Sequence, residues 1–255
     1  MTIKEGTEET QELLFSLASV DRLKLLREID LRKGRLTSLA KVIDVTAQEC
    51  SRHLARLSDT GLITKDPVGS YKTTPLGKAI LGLIPAIEFL LKHKDYFKEH
   101  DLSVLPGSFV ERFGELSGGR YLGHASKVVE QIRSTVSHAK DYVWIAADQP
   151  VKVGRQIGES FSSTEIPVRL MCEPGADPDI LAEAASALPN SEIRLLEGLK
   201  VLIMMNDTSA GVSFPRLDSK LDLGAGFAGT DAKFRGWCRD LFEYYWSKSK
   251  RASTT

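Results

Sequence analysis

The stretch TAQECSRHLARLSDTGLI (46–63) carries side chains whose chemistry is directly readable: amide at 48, hydroxyls at 46 and 51, guanidiniums at 52 and 56. A carboxamide can bond both edge groups of adenine, and a guanidinium can bond O6 and N7 of guanine. Each such pair discriminates by ~1–3 kcal/mol. Thr46 with Glu49 forms a capping box, which starts a helix at Ala47. That helix runs to Thr60, and Gly61 supplies the left-handed stop. Cys50, Leu54 and Leu57 recur at i, i+4 and i+7 and make the buried stripe. Gln48, Ser51, Arg52 and Arg56 lie off it, gathered toward the helix N-terminus, where the dipole favours phosphate.

Two further patterns invite a chemical reading. DLGAGFAG (222–229) contains GxGxxG, the glycine spacing of loops that hold S-adenosylmethionine. Such a loop follows the first strand of a doubly wound sheet, with most of the sheet still to come. Only 26 residues follow Gly229, and the preceding RLDSKLD is polar, so a tight glycine turn is the expectation. His138 and Lys140 give the first half of the HxKxxxxD pattern of phospholipase D-type enzymes, but position 145 is isoleucine. Near the second lysine, Lys200, position 198 is glycine where histidine is needed. Neither place pairs a nucleophile with a base, so no catalytic residue and no cofactor is assigned. His93 and His100 have no carboxylate or thiol at ligand spacing, so no metal site is assigned either. Cys50 stands alone on its apolar stripe and reads as core.

The elements around 46–63 must position its polar residues. Asp21–Lys33 reads as a helix with Leu23, Leu26 and Ile29 inward, and LTSLAKVID (36–44) as a short helix capped by Thr37. LITKD (62–66) and SYKTT (70–74) are strand-like, joined by Pro67, Val68 and Gly69, and Thr74-Pro75 caps a new helix. Residues 76–100 form a long helical stretch with Pro85 inside and an apolar face of Leu76, Ile80, Leu83, Ile87, Leu90 and Leu91. That face either pairs with a second copy or is buried within its own chain. LPGSF (105–109) marks a boundary.

Beyond it, helices near 123–139, 151–161 and 179–188 alternate with strands YVWIAA (142–147), PVRLMC (167–172) and EIRLL (192–196). A hairpin at 200–214 and a helix at 231–250 close the chain, the helix aligning Phe234, Trp237, Cys238, Leu241, Phe242 and Tyr245. Alternation of this kind argues for an α/β layer with a partly parallel sheet.

TSLAKVIDVTAQECSRHLARLSDTGLITKD closely resembles the winged helix-turn-helix of ArsR/MarR-type regulators over about 55 residues. The whole chain resembles archaeal regulators of the methanogenesis and filament-formation type. Its second half is similar in architecture to the non-catalytic phospholipase D-like sensor domain of archaeal sugar-responsive regulators. The resemblance implies an α+β winged helix-turn-helix head at 1–75, a linking or dimerisation helix at 76–104 and an α/β ligand-sensing domain at 105–255. It also implies double-stranded DNA as partner, read by a homodimer. Gln48, Ser51 and Arg52 then face bases, while Thr37, Thr46, Arg56, Lys65, Ser70 and Lys72 hold phosphates. A small-molecule effector is expected at strand ends, near Asp148, Gln149, Glu173 and Asp207.

The totals agree with this reading. Net charge is zero, which excludes a protein coated in positive charge, yet residues 21–75 hold eleven Lys/Arg against seven Asp/Glu. Three scattered cysteines suggest no disulfide framework, and no apolar run reaches the ~18–20 residues of a membrane span, so a cytoplasmic protein is expected. The competing readings are an enzyme with a winged-helix dimer module, methyltransferase-like or a degenerate phosphodiesterase, and an adaptor for protein or RNA.

Overall fold

The computed structural model describes residues 3–148, 166–175 and 191–252. The chain divides into two units, Met1–Ile84 and Pro85–Thr255. The division falls inside the helix Pro75–Lys92.

The first unit holds α1 (Ile3–Leu17), α2 (Val20–Leu31), α3 (Leu36–Ile43) and α4 (Ala47–Asp59), then a hairpin of β1 (Ile63–Lys65) and β2 (Tyr71–Thr73). Leu25, Leu26 and Ile29 of α2, Leu39 and Ile43 of α3, and Cys50, Leu54 and Leu57 of α4 form one buried cluster. Leu25, not Leu23, is the third inward residue of α2, since Leu25 joins the buried cluster with α3 and α4. The cap of α3 is Arg35 rather than Thr37, and its side chain makes no capping bond. In the hairpin Asp66 Oδ1 accepts from the N–H groups of Val68 and Ser70 (3.1 and 2.8 Å), and Gly69 takes φ +86°.

α5 (Pro75–Lys92) begins in the first unit. Thr74 Oγ1 accepts from Gly77 N (3.0 Å) and donates to Gly61 O (2.6 Å), tying the start of α5 to the turn after α4. The helix stops at Lys92 rather than running to 100, and α6 (Lys94–Phe97) follows. Leu76, Leu83, Ile87 and Leu91 of α5 are exposed.

In the second unit α7 (Gly107–Glu111) precedes β3 (Arg120–Leu122), α8 (Ala125–Ser137), β4 (Val143–Ala146), β5 (Val168–Cys172), β6 (Ser191–Leu195), β7 (Leu202–Asn206), β8 (Ala210–Ser213), β9 (Gly226–Gly229), α9 (Ala232–Lys248) and β10 (Lys250–Arg251). Among the described residues these strands make one eight-stranded sheet, ordered β10-β6-β5-β4-β7-β8-β9-β3. β4, β5 and β6 are parallel, and the remaining neighbours are antiparallel. The expected helices near 151–161 and 179–188 lie outside the described residues.

The run LIMM in β7 shows why the sheet is buried on both faces. Leu202 and Met204 pack with Val128, Ile132 and Val136 of α8, whereas Ile203 and Met205 pack with Phe234, Trp237 and Leu241 of α9. Asn206 ends this strand without solvent exposure, and its amide bonds replace water. Nδ2 donates to Thr135 O (2.8 Å), while Oδ1 accepts from Thr208 N (2.8 Å) and Ser209 N (2.7 Å). Among the described residues no helix is long and apolar enough to cross a membrane.

Candidate functional site

α4 owes its position to the capping box and to its buried stripe. Thr46 Oγ1 accepts from Glu49 N (3.2 Å), and Glu49 Oε2 accepts from Thr46 N (3.0 Å) and from the Thr46 hydroxyl (2.8 Å). These bonds from Thr46 hold the Glu49 carboxyl below the usual glutamate range. At the other end Gly61 takes φ +71°. Cys50, Leu54 and Leu57 are fully buried, and burial pushes the Cys50 thiol up, as suits a core residue. The helix therefore cannot turn about its axis, and Gln48, Ser51 and Arg52 stand exposed on its outer side.

Thr37, Lys65 and Lys72 are exposed and Ser70 is half-buried. Lys65 Nζ lies 5.5 Å from the centre of the Tyr71 ring. Two assigned phosphate contacts are differently placed. The Thr46 hydroxyl is committed to Glu49 as donor and acceptor, so its first task is the cap. Arg56 lies against Phe15, with its guanidinium carbon 5.2 Å from the ring centre, in an open cleft that Asp21 and Arg22 also line.

The suggested effector residues do not converge. β4 and β5 run in the same direction, so Asp148 and Glu173 follow them to one end of the sheet. There Glu173 N donates to Asp148 O (3.4 Å), and Lys200 pairs with Glu173 at 3.0 Å. β7 runs antiparallel to β4, with Asn206 opposite Val143, which carries Asp207 to the other end. Asp207 Oδ1 accepts from the N–H groups of Lys140 and Asp141 (2.8 and 3.3 Å). Partial burial works against the charge, yet those N–H groups hold the carboxyl below its ordinary range. Asp207 is a turn residue, and Gln149 lies outside the described residues.

A cleft of about 330 Å³ does open in the second unit, between Ser103–Pro106, Leu196–Gly198 and the α9 residues Tyr244, Tyr245 and Lys248. Tyr245 donates its hydroxyl to Val104 O (3.0 Å), and Lys248 Nζ sits 4.0 Å from the centre of the Tyr244 ring. No sequence spacing announces this cleft, since its walls come from three separate segments.

Gly226 and Gly229 of the GxGxxG pattern lie within β9, hydrogen-bonded on both sides by β8 and β3. A Cβ at Gly226 would stand 2.8 Å from Val212 O, and one at Gly229 would stand 2.5 Å from Phe234 Cγ. These glycines let strand and helix approach one another and leave no open cradle for a cofactor. His100 has no nitrogen to spare for a metal. Nδ1 is 2.6 Å from Tyr96 O, and Nε2 is 2.9 Å from Asp222 Oδ2.

No protein-family model and no curated protein matches the chain. Among solved structures it is similar to TrmBL2, an archaeal chromatin protein with a novel mode of DNA binding, at 14% identity over 98% of this chain and 100% of that one, with a TM-score of 0.42. NucT from Helicobacter pylori is 13% identical over 52% of this chain and 98% of its own, at 0.42. The methyltransferase RosA from Streptomyces davawensis is 12% identical over 78% and 68%, at 0.30. Scores this low leave the functional reading to the geometry.

Proposed function

We propose that the chain is a sequence-specific DNA-binding transcriptional regulator acting as a homodimer. In this reading the first unit is a winged helix-turn-helix, the β1–β2 hairpin is its wing, and the mixed sheet is a non-catalytic, phospholipase D-like layer. The observation that carries the reading is α4. Its apolar stripe and both its ends are fixed, while Gln48, Ser51 and Arg52 stand exposed on the opposite side. A helix locked at both ends with a polar outer face suits insertion into the major groove. Gln48 reads adenine and Arg52 reads guanine, with Lys65 and Lys72 on the wing and Thr37 on α3 against the backbone. Two copies on a pseudo-palindrome would place their reading helices ~34 Å apart. The cleft beside Tyr244 and Lys248, rather than the strand ends, is then the place for a small effector.

The test is fluorescence anisotropy with the protein's own upstream DNA and with scrambled DNA, across a salt series, with Arg52→Ala alongside. Preference for the native DNA, a steep salt slope and loss of that preference in the variant are expected. Weak binding that is indifferent to sequence and to Arg52 would sink the reading.

A further inference from the structure

The flank of α4 between its core stripe and its outer face carries Glu49, His53 and Arg56, at i, i+4 and i+7. Together with Arg52 this flank bounds an open cleft of about 560 Å³ whose far wall is Phe15, Asp21 and Arg22 of α1 and α2. Three guanidiniums and an imidazole thus share one cleft with two carboxylates, and Glu49 spends its Oε2 on the capping box.

The guanidiniums are not held alike. Arg22 donates Nε to Ser16 O (2.5 Å) and Nη2 to Phe15 O (2.8 Å), so it is a fixed part of the wall. Its central carbon is 5.9 Å from the centre of the Phe15 ring, and that of Arg56 is 5.2 Å from the same centre. Arg56 Nε is buried and has no hydrogen-bond partner. A buried charged donor without an acceptor is costly, and like charges gathered in one cleft repel. An anion bound among them relieves that repulsion. Phosphate fits better than a carboxylate, because its tetrahedral oxygens can meet the Arg52 and Arg56 guanidiniums and the His53 imidazole together.

We propose that this cleft is a phosphate site, in which Arg56, Arg52 and His53 hold the anion and Arg22 braces the opposite wall. The phosphate has two possible sources: the DNA backbone running beside the groove, or a free phosphorylated small molecule. Only the first source rests on the DNA-binding reading above.

The experiment has two arms, both on the full chain and its Arg56→Gln and Arg56→Lys variants. In the first, calorimetry follows pyrophosphate binding, and anisotropy follows whether pyrophosphate displaces DNA. In the second, DNA affinity is measured across a salt series. A free-ligand site gives pyrophosphate binding that Arg56→Gln weakens by about tenfold. A backbone site gives no pyrophosphate binding and instead a salt slope smaller by about 0.9 in Arg56→Gln, equal on native and scrambled DNA. Arg56→Lys keeps the charge and loses the fork, so it should weaken pyrophosphate binding less than Arg56→Gln does and leave the salt slope at its wild-type value. Circular dichroism checks that each variant keeps its helices, and should Arg56→Gln lose them, Arg56→Met takes its place in both arms.

Pyrophosphate binding and salt slope both unchanged in the folded variants would overturn the proposal. Sequence-specific DNA binding with both arms flat would remove the phosphate site and leave the regulator reading standing. Arg56-dependent pyrophosphate binding without any DNA binding would do the reverse.

Discussion

Gly77 provides a test in which a general rule and the local geometry predict opposite signs. It sits in the first turn of α5, and replacing glycine by alanine in a helix ordinarily stabilises by up to about 1 kcal/mol. At Gly77, however, a Cβ would lie 2.1 Å from the Leu62 carbonyl oxygen and 2.7 Å from Thr73 Cγ2. The first distance falls more than an ångström short of ordinary van der Waals contact. Leu62 O cannot yield freely, because it accepts from Thr74 N (3.0 Å). Relief breaks that bond, at about 1 kcal/mol, and strains the turn by about 1–3 kcal/mol. With both contributions, and with the helix gain set against them, Gly77→Ala should destabilise by about 1–3 kcal/mol. Gly82 lies in the same helix, and a Cβ there meets nothing within 4 Å, so Gly82→Ala should stabilise by up to about 1 kcal/mol. Urea unfolding followed by far-ultraviolet circular dichroism measures both. A Gly77→Ala protein as stable as wild type would refute the latch between α5 and the end of α4.

Two further outcomes are expected. Asn206→Ala strips partners from Thr135 O and from two turn N–H groups, at about 3 kcal/mol, lowering the melting temperature by roughly 6–12 °C. The readout is tryptophan fluorescence, which reports only on this unit because Trp144, Trp237 and Trp246 all lie in it; an unchanged transition would contradict the burial of that amide. Thr46→Ala should cost about 1 kcal/mol at neutral pH through loss of the cap. Glu49 has its folded value depressed, so its part of that stability is present above the ordinary glutamate range and is lost as pH falls through the lowered value. The gap between wild type and Thr46→Ala should therefore narrow in acid, and a gap independent of pH would contradict the reciprocal bonds.

What could be read from the sequence follows how local each interaction is. The capping box, the Cys50–Leu54–Leu57 stripe, the Asp66–Gly69 turn and the Thr74-Pro75 start each depend on residues within a turn or two, and the structure has all of them. The cap of α3 was misplaced by two positions because a threonine outranks an arginine in capping preference, whereas the chain enters that helix through extended Arg35. Asp207 was grouped with Asp148 and Glu173 because strand order cannot be read from alternation. Only the antiparallel register of β7 against β4 sends it to the far end. The same limit hid the role of Gly226 and Gly229, which is to admit a neighbouring strand and Phe234 from elsewhere in the chain. The cleft of Phe15, Arg22 and Arg56 was equally hidden, since α1 carries no spacing that points toward α4.

The pairing of the sheet also sets a timetable for a chain made from its N-terminus. β1 meets β2 through Ile63 and Thr73, so that ladder can close as soon as residue 73 has emerged. β3 appears early in the second unit, yet its partner is β9, with Arg120 opposite Ala228, and β6 waits for β10 to bring Arg251 beside Arg194. Long-range pairing of this kind is slow and leaves apolar strands uncovered meanwhile. The nascent second unit must therefore carry β3 without its partner until β9 has emerged. Chains cut short before α9 would expose the apolar face of β7 and should be cleared or aggregate rather than persist as smaller folded proteins.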